Sequence, residues 1–75
     1  MWHLSVYEKQ SDRLVKQHRL FDVDVGVLRA LWHQPDGDPM YHSYPVTPVI
    51  AEALRGYVSE TLQLDEYDYF LEYGR

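Results

Sequence analysis

The strongest constraint on the fold is a pair of segments, one at each end of the chain, in which two kinds of side chain alternate. The first segment is Trp2–Glu8 and the last is Tyr67–Tyr73. In the last one, tyrosine or leucine holds every odd position, whereas Asp68, Phe70 and Glu72 hold the even ones. Successive side chains of a β-strand point to opposite faces, so both segments are predicted to be strands with one buried face.

A second strand and a first helix are predicted next along the chain. The polar residues 9–12 favour a turn, and residues 14–21 resume an extended pattern that ends at Phe21, so a β-hairpin with the first strand is predicted. Asp22 or Asp24 can then cap a helix, because a carboxylate accepts hydrogen bonds from the free N–H groups of the first turn. The apolar side chains of this helix are spaced three, three and one residues apart, at Val25, Leu28, Leu31 and Trp32.

The dipeptide Thr47-Pro48 predicts the start of a second helix. Threonine is a good N-cap, and proline suits the first helical position because its fixed φ fits a helix and its missing N–H is not needed there. A loop with two prolines and an Asp-Gly turn, residues 34–39, separates this helix from the first. The apolar stripe of the second helix has three-and-four spacing and consists of Ile50, Ala53, Leu54, Tyr57 and Val58.

The 75 residues are therefore expected to form one α+β domain that spans residues 1–75. The element order ββααβ predicts a three-stranded, mainly antiparallel sheet with both helices on one face. A hairpin alone is only marginally stable, so the last strand is expected to pair with it. The side chains expected in the core are Leu4, Val6, Leu28, Leu31, Ile50, Leu54 and Leu71.

The charge distribution argues against nucleic-acid binding. The net charge is −5 at pH 7, and residues 21–75 hold three arginines against ten acidic side chains. Nucleic-acid affinity depends largely on contacts from lysine and arginine to phosphate, so a basic protein is the better-matched partner. The chain has no cysteine, no apolar run near the about 20 residues that span a bilayer, and no basic and apolar leader at its start. We expect a cytoplasmic protein that binds neither nucleic acid nor membrane.

Aromatic and acidic side chains together indicate a protein-binding surface. Most of the seven tyrosines lie in residues 41–44 and 67–73, beside carboxylates. Tyrosine supplies contact area at low entropic cost, and carboxylates attract a cationic partner. Either group of tyrosines could instead be buried in the core, with the acids as a solvated rim. The predicted protein-binding residues are Tyr41, Tyr44, Asp65, Glu66, Asp68, Tyr69 and Glu72.

Metal and catalytic sites are weaker interpretations. The loop that contains His33, Asp36, Asp38 and His42 has side chains that zinc accepts, but their spacing matches no known signature, and a turn explains the acids. The chain has no cysteine nucleophile, no serine in a nucleophile elbow and no glycine-rich phosphate loop. We expect no cofactor, no metal and no enzymatic activity; a small metal-dependent enzyme built on these four side chains is the least favoured alternative.

Three stretches of the sequence are distinctive together: residues 5–9 (Ser-Val-Tyr-Glu-Lys) with 11–15, residues 38–41 with 43–48, and residues 67–72 (Tyr-Asp-Tyr-Phe-Leu-Glu). They resemble a family of small, uncharacterised bacterial domains, over nearly the whole chain. The resemblance implies no catalytic residues. Small acidic proteins of this general kind are frequently antitoxins or immunity proteins that bind a toxin domain, so the resemblance adds that role by analogy of size and charge.

The leading hypothesis is therefore a non-catalytic domain that binds a basic toxin or enzyme as an immunity-type or antitoxin-type inhibitor. In the main alternative, the same aromatic side chains form a homodimer face, and the domain is a structural or self-associating module.

Overall fold

The computed structural model describes residues 1–20 and 22–74, and this part of the chain contains four strands and two short helices. The first and last strands form with the predicted bounds. The second strand begins at Leu14 as predicted and ends at Arg19, while Phe21 lies outside the described residues. The elements are β1 (Trp2–Glu8), β2 (Leu14–Arg19), α1 (Val25–Leu31), β3 (Tyr44–Pro45), α2 (Pro48–Ala53), a 3₁₀ turn (Leu54–Gly56) and β4 (Tyr67–Tyr73).

The four strands form one antiparallel sheet in the order β2-β1-β4-β3. The central pair, β1 and β4, keeps an unbroken register from Trp2 opposite Tyr73 to Glu8 opposite Tyr67. The pairing of β1 with β2 shifts register after Val6, as a β-bulge does. The first and last segments of the chain therefore form the middle of the sheet.

The prediction of a three-stranded sheet in ββααβ order is wrong, because a fourth strand lies between the two helices. This strand, β3, has two residues and pairs with Leu71 and Phe70 of β4. The N–H of Val46 continues the pairing by donating to the carbonyl of Tyr69 at 2.9 Å. So short a strand shows no alternation in sequence, and its proline is tolerated because β3 lies at the sheet edge.

Both helices begin at the side-chain caps that the sequence offers. Asp24, and not Asp22, caps α1: its Oδ1 accepts a hydrogen bond from the N–H of Val27 at 3.1 Å. Thr47 caps α2, and its Oγ1 accepts from the N–H of Ile50 at 3.3 Å.

The second helix is shorter than its apolar stripe suggests. It ends at Ala53 and tightens into the 3₁₀ turn Leu54–Gly56. Gly56 has a low helix propensity, which explains why the α-helix does not continue to Val58.

The core lies between one face of the sheet and the helices. Five of the seven side chains expected there are buried, and the other two, Leu31 and Ile50, are half-buried against them. The loop before β3 adds Met40 to the core, and β3 itself adds Tyr44. Among the described residues, neither helix has the length and apolar character needed to cross a membrane. The five confirmed core side chains are Leu4, Val6, Leu28, Leu54 and Leu71.

Replacing Leu54 by alanine should lower the free energy of unfolding by about 2–5 kcal/mol, because the fully buried side chain would leave a cavity. Val49→Ala is the matched control in the same region, since Val49 is 80% exposed and its replacement should change stability by no more than about 0.5 kcal/mol. Urea unfolding followed by tryptophan fluorescence measures both variants. Equal losses would contradict the core position of Leu54.

Candidate protein-binding face

The face of the sheet that points away from the helices carries a continuous row of polar and aromatic side chains. Because the register of the central strands is unbroken, residues of β1 and β4 face each other in pairs on this surface. Gln17 of β2 lies opposite Ser5, and Ser43, just before β3, reaches the same surface. We call this surface the open face; its pairs are His3 with Glu72, Ser5 with Phe70, and Tyr7 with Asp68.

The Glu72 carboxylate is the centre of the hydrogen-bond network on the open face. Ser5 Oγ donates to Glu72 Oε1 at 2.5 Å, and Ser43 Oγ donates to Oε2 at 3.1 Å. The hydroxyl of Tyr7 lies 3.3 Å from both oxygens. Glu72 is half-buried, and it forms no ion pair within residues 1–20 and 22–74. The hydrogen bonds to this carboxylate thus come from three neutral hydroxyl groups.

Ser5 is the fully buried residue of this network. The residue is fully buried although it points away from the core, because its neighbours on the open face cover it. Gln17 Nε2 lies 3.4 Å from Ser5 Oγ and 3.0 Å from His3 Nε2, so β2 is tied into the same network. A buried hydroxyl with hydrogen-bond partners is stable, and here it fixes the position of the carboxylate.

Tyr7 joins the network to an aromatic pair. Its ring meets the ring of Phe70 edge to face, with centroids 5.7 Å apart. Burial of the Tyr7 phenol, and then the charge and the hydrogen bond of Glu72, raise its pKa above the usual 10.0. Tyr7 therefore stays a neutral hydrogen-bond donor to Glu72 at neutral pH.

The other acid of the open face is neutralised by a lysine. Asp68 Oδ1 lies 2.7 Å from Lys9 Nζ, and both side chains are more than one third exposed. Exposed ion pairs contribute little to stability, about 0–1 kcal/mol. Glu72 and Asp68 thus differ in character, because Asp68 has a cation beside it.

The seven predicted binding residues do not form one surface. Asp68 and Glu72 share the open face, while Asp65 and Glu66 are exposed in the turn that precedes β4. Tyr41 is 59% exposed and packs on Tyr73, with ring centroids 4.4 Å apart. The remaining two, Tyr44 and Tyr69, are buried in the core.

The two buried tyrosines have structural partners. Tyr69 accepts a hydrogen bond from the N–H of Gln63 at 2.9 Å. Tyr44 donates to Asp38 Oδ2 at 3.5 Å, and its burial, followed by the charge of Asp38, raises its pKa. Sequence reasoning did not identify Ser5, Tyr7, Gln17, Ser43 or Phe70 as parts of the site. For Ser5, Tyr7 and Phe70 the only signal was the alternation of the end strands, which assigns faces but no partners. Gln17 and Ser43 lie outside those strands.

In the loop that contains the four candidate metal ligands, the carboxylate of Asp38 forms hydrogen bonds with neighbouring residues. Asp38 Oδ1 accepts a hydrogen bond from the N–H of Met40 at 2.8 Å, and Oδ2 accepts from Tyr44. Within the described part of the chain, no group of three or more histidine, cysteine, aspartate or glutamate side chains is arranged to hold a metal ion.

The Tyr7→Phe variant should lose less stability than the wild type as the pH is raised from about 8.5 to about 11. The raised pKa means that the contribution of Tyr7 is complete below 10.0 and is lost as the pH rises through the folded-state value. Val49→Ala, which changes an exposed side chain that has no titratable group, should keep the wild-type pH dependence. Urea unfolding at a series of pH values measures the difference. Parallel curves for wild type and Tyr7→Phe would contradict the Tyr7–Glu72 interaction.

The comparison with known proteins gives a family and no function. No curated protein and no solved structure is significantly similar to this chain. A family model described as a domain of unknown function, DUF7683, matches residues 1–72. The chain therefore belongs to the DUF7683 family of domains of unknown function.

Proposed function

We propose that this domain is a non-catalytic protein-binding module of the immunity or antitoxin type, which inhibits a basic toxin or enzyme in the bacterial cytoplasm. The contact surface is the open face. The partner is a protein and not a nucleic acid, because the net charge of −5 and the acids of β4 would repel a phosphate backbone.

The observation that carries the proposal is the state of the Glu72 carboxylate. It is half-buried and oriented by three hydroxyl groups, and none of the described cationic side chains pairs with it. Hydrogen bonds between a carboxylate and a guanidinium or ammonium group are stronger than those between neutral groups. A lysine or arginine of a partner would supply the missing charge at a position that the hydroxyl groups already fix.

The aromatic side chains around Glu72 suit the centre of an interface. The rings of Tyr7 and Phe70 are held edge to face and are half-buried. Rigid aromatic rings around a polar anchor are typical of the residues that contribute most to binding energy.

Two further features agree with a binding role without catalysis. Ser5 is fully buried and its hydroxyl donates a hydrogen bond to Glu72, so it is not exposed as a nucleophile. Asp65 and Glu66 project into solvent just before β4, where their charge would attract a basic partner before contact.

The Glu72→Gln variant should weaken the complex about 30-fold or more, which corresponds to about 2 kcal/mol for a residue at the centre of an interface. Glutamine keeps the shape of the side chain, removes its charge and replaces one acceptor oxygen by an NH2 donor. The probe is the purified product of the gene adjacent to that of this domain, since an inhibitor and its target are expected to be encoded together. Isothermal titration calorimetry measures the affinity, and circular dichroism confirms folding.

Asp36→Asn is the matched control, because it removes one exposed carboxylate from the loop between α1 and β3. It should bind as the wild type does. Equal weakening in both variants would reject the open face as the contact surface, and a neighbouring gene product that does not bind would reject the inhibitor role. Light scattering over a concentration series should show a monomer. A dimer that the Glu72→Gln change disrupts would instead favour the self-associating module.

Replacing Asp65 and Glu66 together by lysine should slow association about tenfold at low salt and leave dissociation nearly unchanged, because both acids act before contact. The salt dependence of the association rate should become flatter. Surface plasmon resonance at several salt concentrations separates the two rates. A faster dissociation with an unchanged association rate would mean that the two acids touch the partner.

A further inference from the structure

A groove of about 630 Å³ lies between α2 and residues 58–65. It shares none of its lining residues with the open face. Its apolar lining comes from half-buried side chains of both walls, with Ala51 from α2 and with Val58, Leu62 and Leu64 from the other wall. A volume of this size is within the range of binding clefts in proteins, about 300–1,000 Å³.

Both walls of the groove are held in place by contacts to the rest of the fold. The wall of residues 58–65 has little regular structure, but the N–H of Gln63 donates to the hydroxyl of the buried Tyr69 at 2.9 Å. Glu60 Oε2 lies 3.2 Å from Lys16 Nζ, which ties the same wall to β2. On the opposite wall, Ile50 and Ala51 of α2 pack against the core. A groove that is already formed loses less conformational entropy when it binds.

The charged side chains around the groove are mainly acidic. Among the described residues, Glu52, Glu60 and Asp65 line it together with one cation, Arg55. Arg55 Nη1 is paired with Glu52 at 3.0 Å, and Glu60 is paired with Lys16. Asp65 is exposed and has no ion-pair partner within the described residues. The groove therefore combines apolar walls with a net negative rim.

We propose that this groove binds a basic segment of another polypeptide, one in which lysine or arginine alternates with apolar residues. The apolar residues and the methylene stems of the basic side chains pack on Val58, Leu62 and Leu64, and the cationic head groups lie at the rim beside Asp65 and Glu52. The occupant follows from charge complementarity, since an acidic segment would be repelled by the same rim. This site is separate from the open face and does not depend on the function proposed for it.

The probe is a fluorescein-labelled peptide in which leucine alternates with arginine, and its counterpart has glutamate in place of arginine. Fluorescence anisotropy with the full chain should show binding of the arginine peptide alone, weakened by added salt. The double variant Glu52→Gln with Asp65→Asn should weaken binding about tenfold, since two of the three acidic charges around the groove are lost. Asp36→Asn, which lies outside the groove, should bind the peptide as the wild type does.

Nuclear magnetic resonance with the labelled domain locates the peptide. Shift changes concentrated in residues 48–65 support the groove, whereas changes centred on Ser5, Tyr7 and Phe70 would move the peptide to the open face and overturn the proposal. Equal binding of the two peptides, full binding by the double variant, or no binding of the arginine peptide would each overturn it as well. The peptide experiments use neither the neighbouring gene product nor the Glu72→Gln variant, so failure of the groove proposal and failure of the function proposed for the open face are distinguishable.

Discussion

The rest of the structure depends on the pairing of β1 with β4. These strands come from the two ends of the chain, and seven residue pairs, from Trp2–Tyr73 to Glu8–Tyr67, form the middle of the sheet. The pairing continues at the termini, where the amino group of Met1 donates to the carbonyl of Gly74, and the N–H of Gly74 donates to the carbonyl of Met1, both at 2.8 Å. The outer strands then add to the two free edges of this pair.

This pairing links the core to the open face. Neighbouring residues of β4 point to opposite sides, so Leu71 enters the core while Glu72 enters the hydrogen-bond network. A shift of one residue would exchange the two sets, which makes the register energetically well defined. The apolar pair Leu4–Leu71 therefore also decides that Glu72 lies within reach of Ser5. The core contact between Leu4 and Leu71 thus helps to position the residues on the opposite face that are proposed to bind a partner.

The loop between α1 and β3 shows how an irregular segment can be fixed without regular pairing. Arg29 Nη1 donates to the carbonyl of Asp38 at 2.9 Å, and the carboxylate of Asp38 accepts from the N–H of Met40. Trp2 Nε1 donates to the carbonyl of Met40 at 2.9 Å, and the Met40 side chain is fully buried. These contacts fix the loop so that Ser43 lies within hydrogen-bond distance of Glu72 on the open face. The acid that suggested a metal ligand in the sequence instead serves as a turn-forming residue.

The sequence by itself determined the features that depend on nearby residues. Alternation defined the bounds of β1 and β4, and the dipeptide Thr47-Pro48 defined the start of α2, because strand faces and helix caps are set by residues only a few positions apart. The same reasoning identified Glu72 as a candidate binding residue, although it did not give its partners.

Only the tertiary structure decided which distant residues meet. Ser5 and Glu72 are 67 positions apart, and no local pattern specifies their register. The strand β3 likewise exists because the edge of β4 offers hydrogen-bonding groups to a two-residue segment. Tyr44 and Tyr69 are buried whereas Tyr41 is exposed. The residues next to each tyrosine in the sequence do not predict this difference. Local chemistry determined β1, β4 and the start of α2, whereas the long-range pairing of β1 with β4 determined β3, the core and the candidate site.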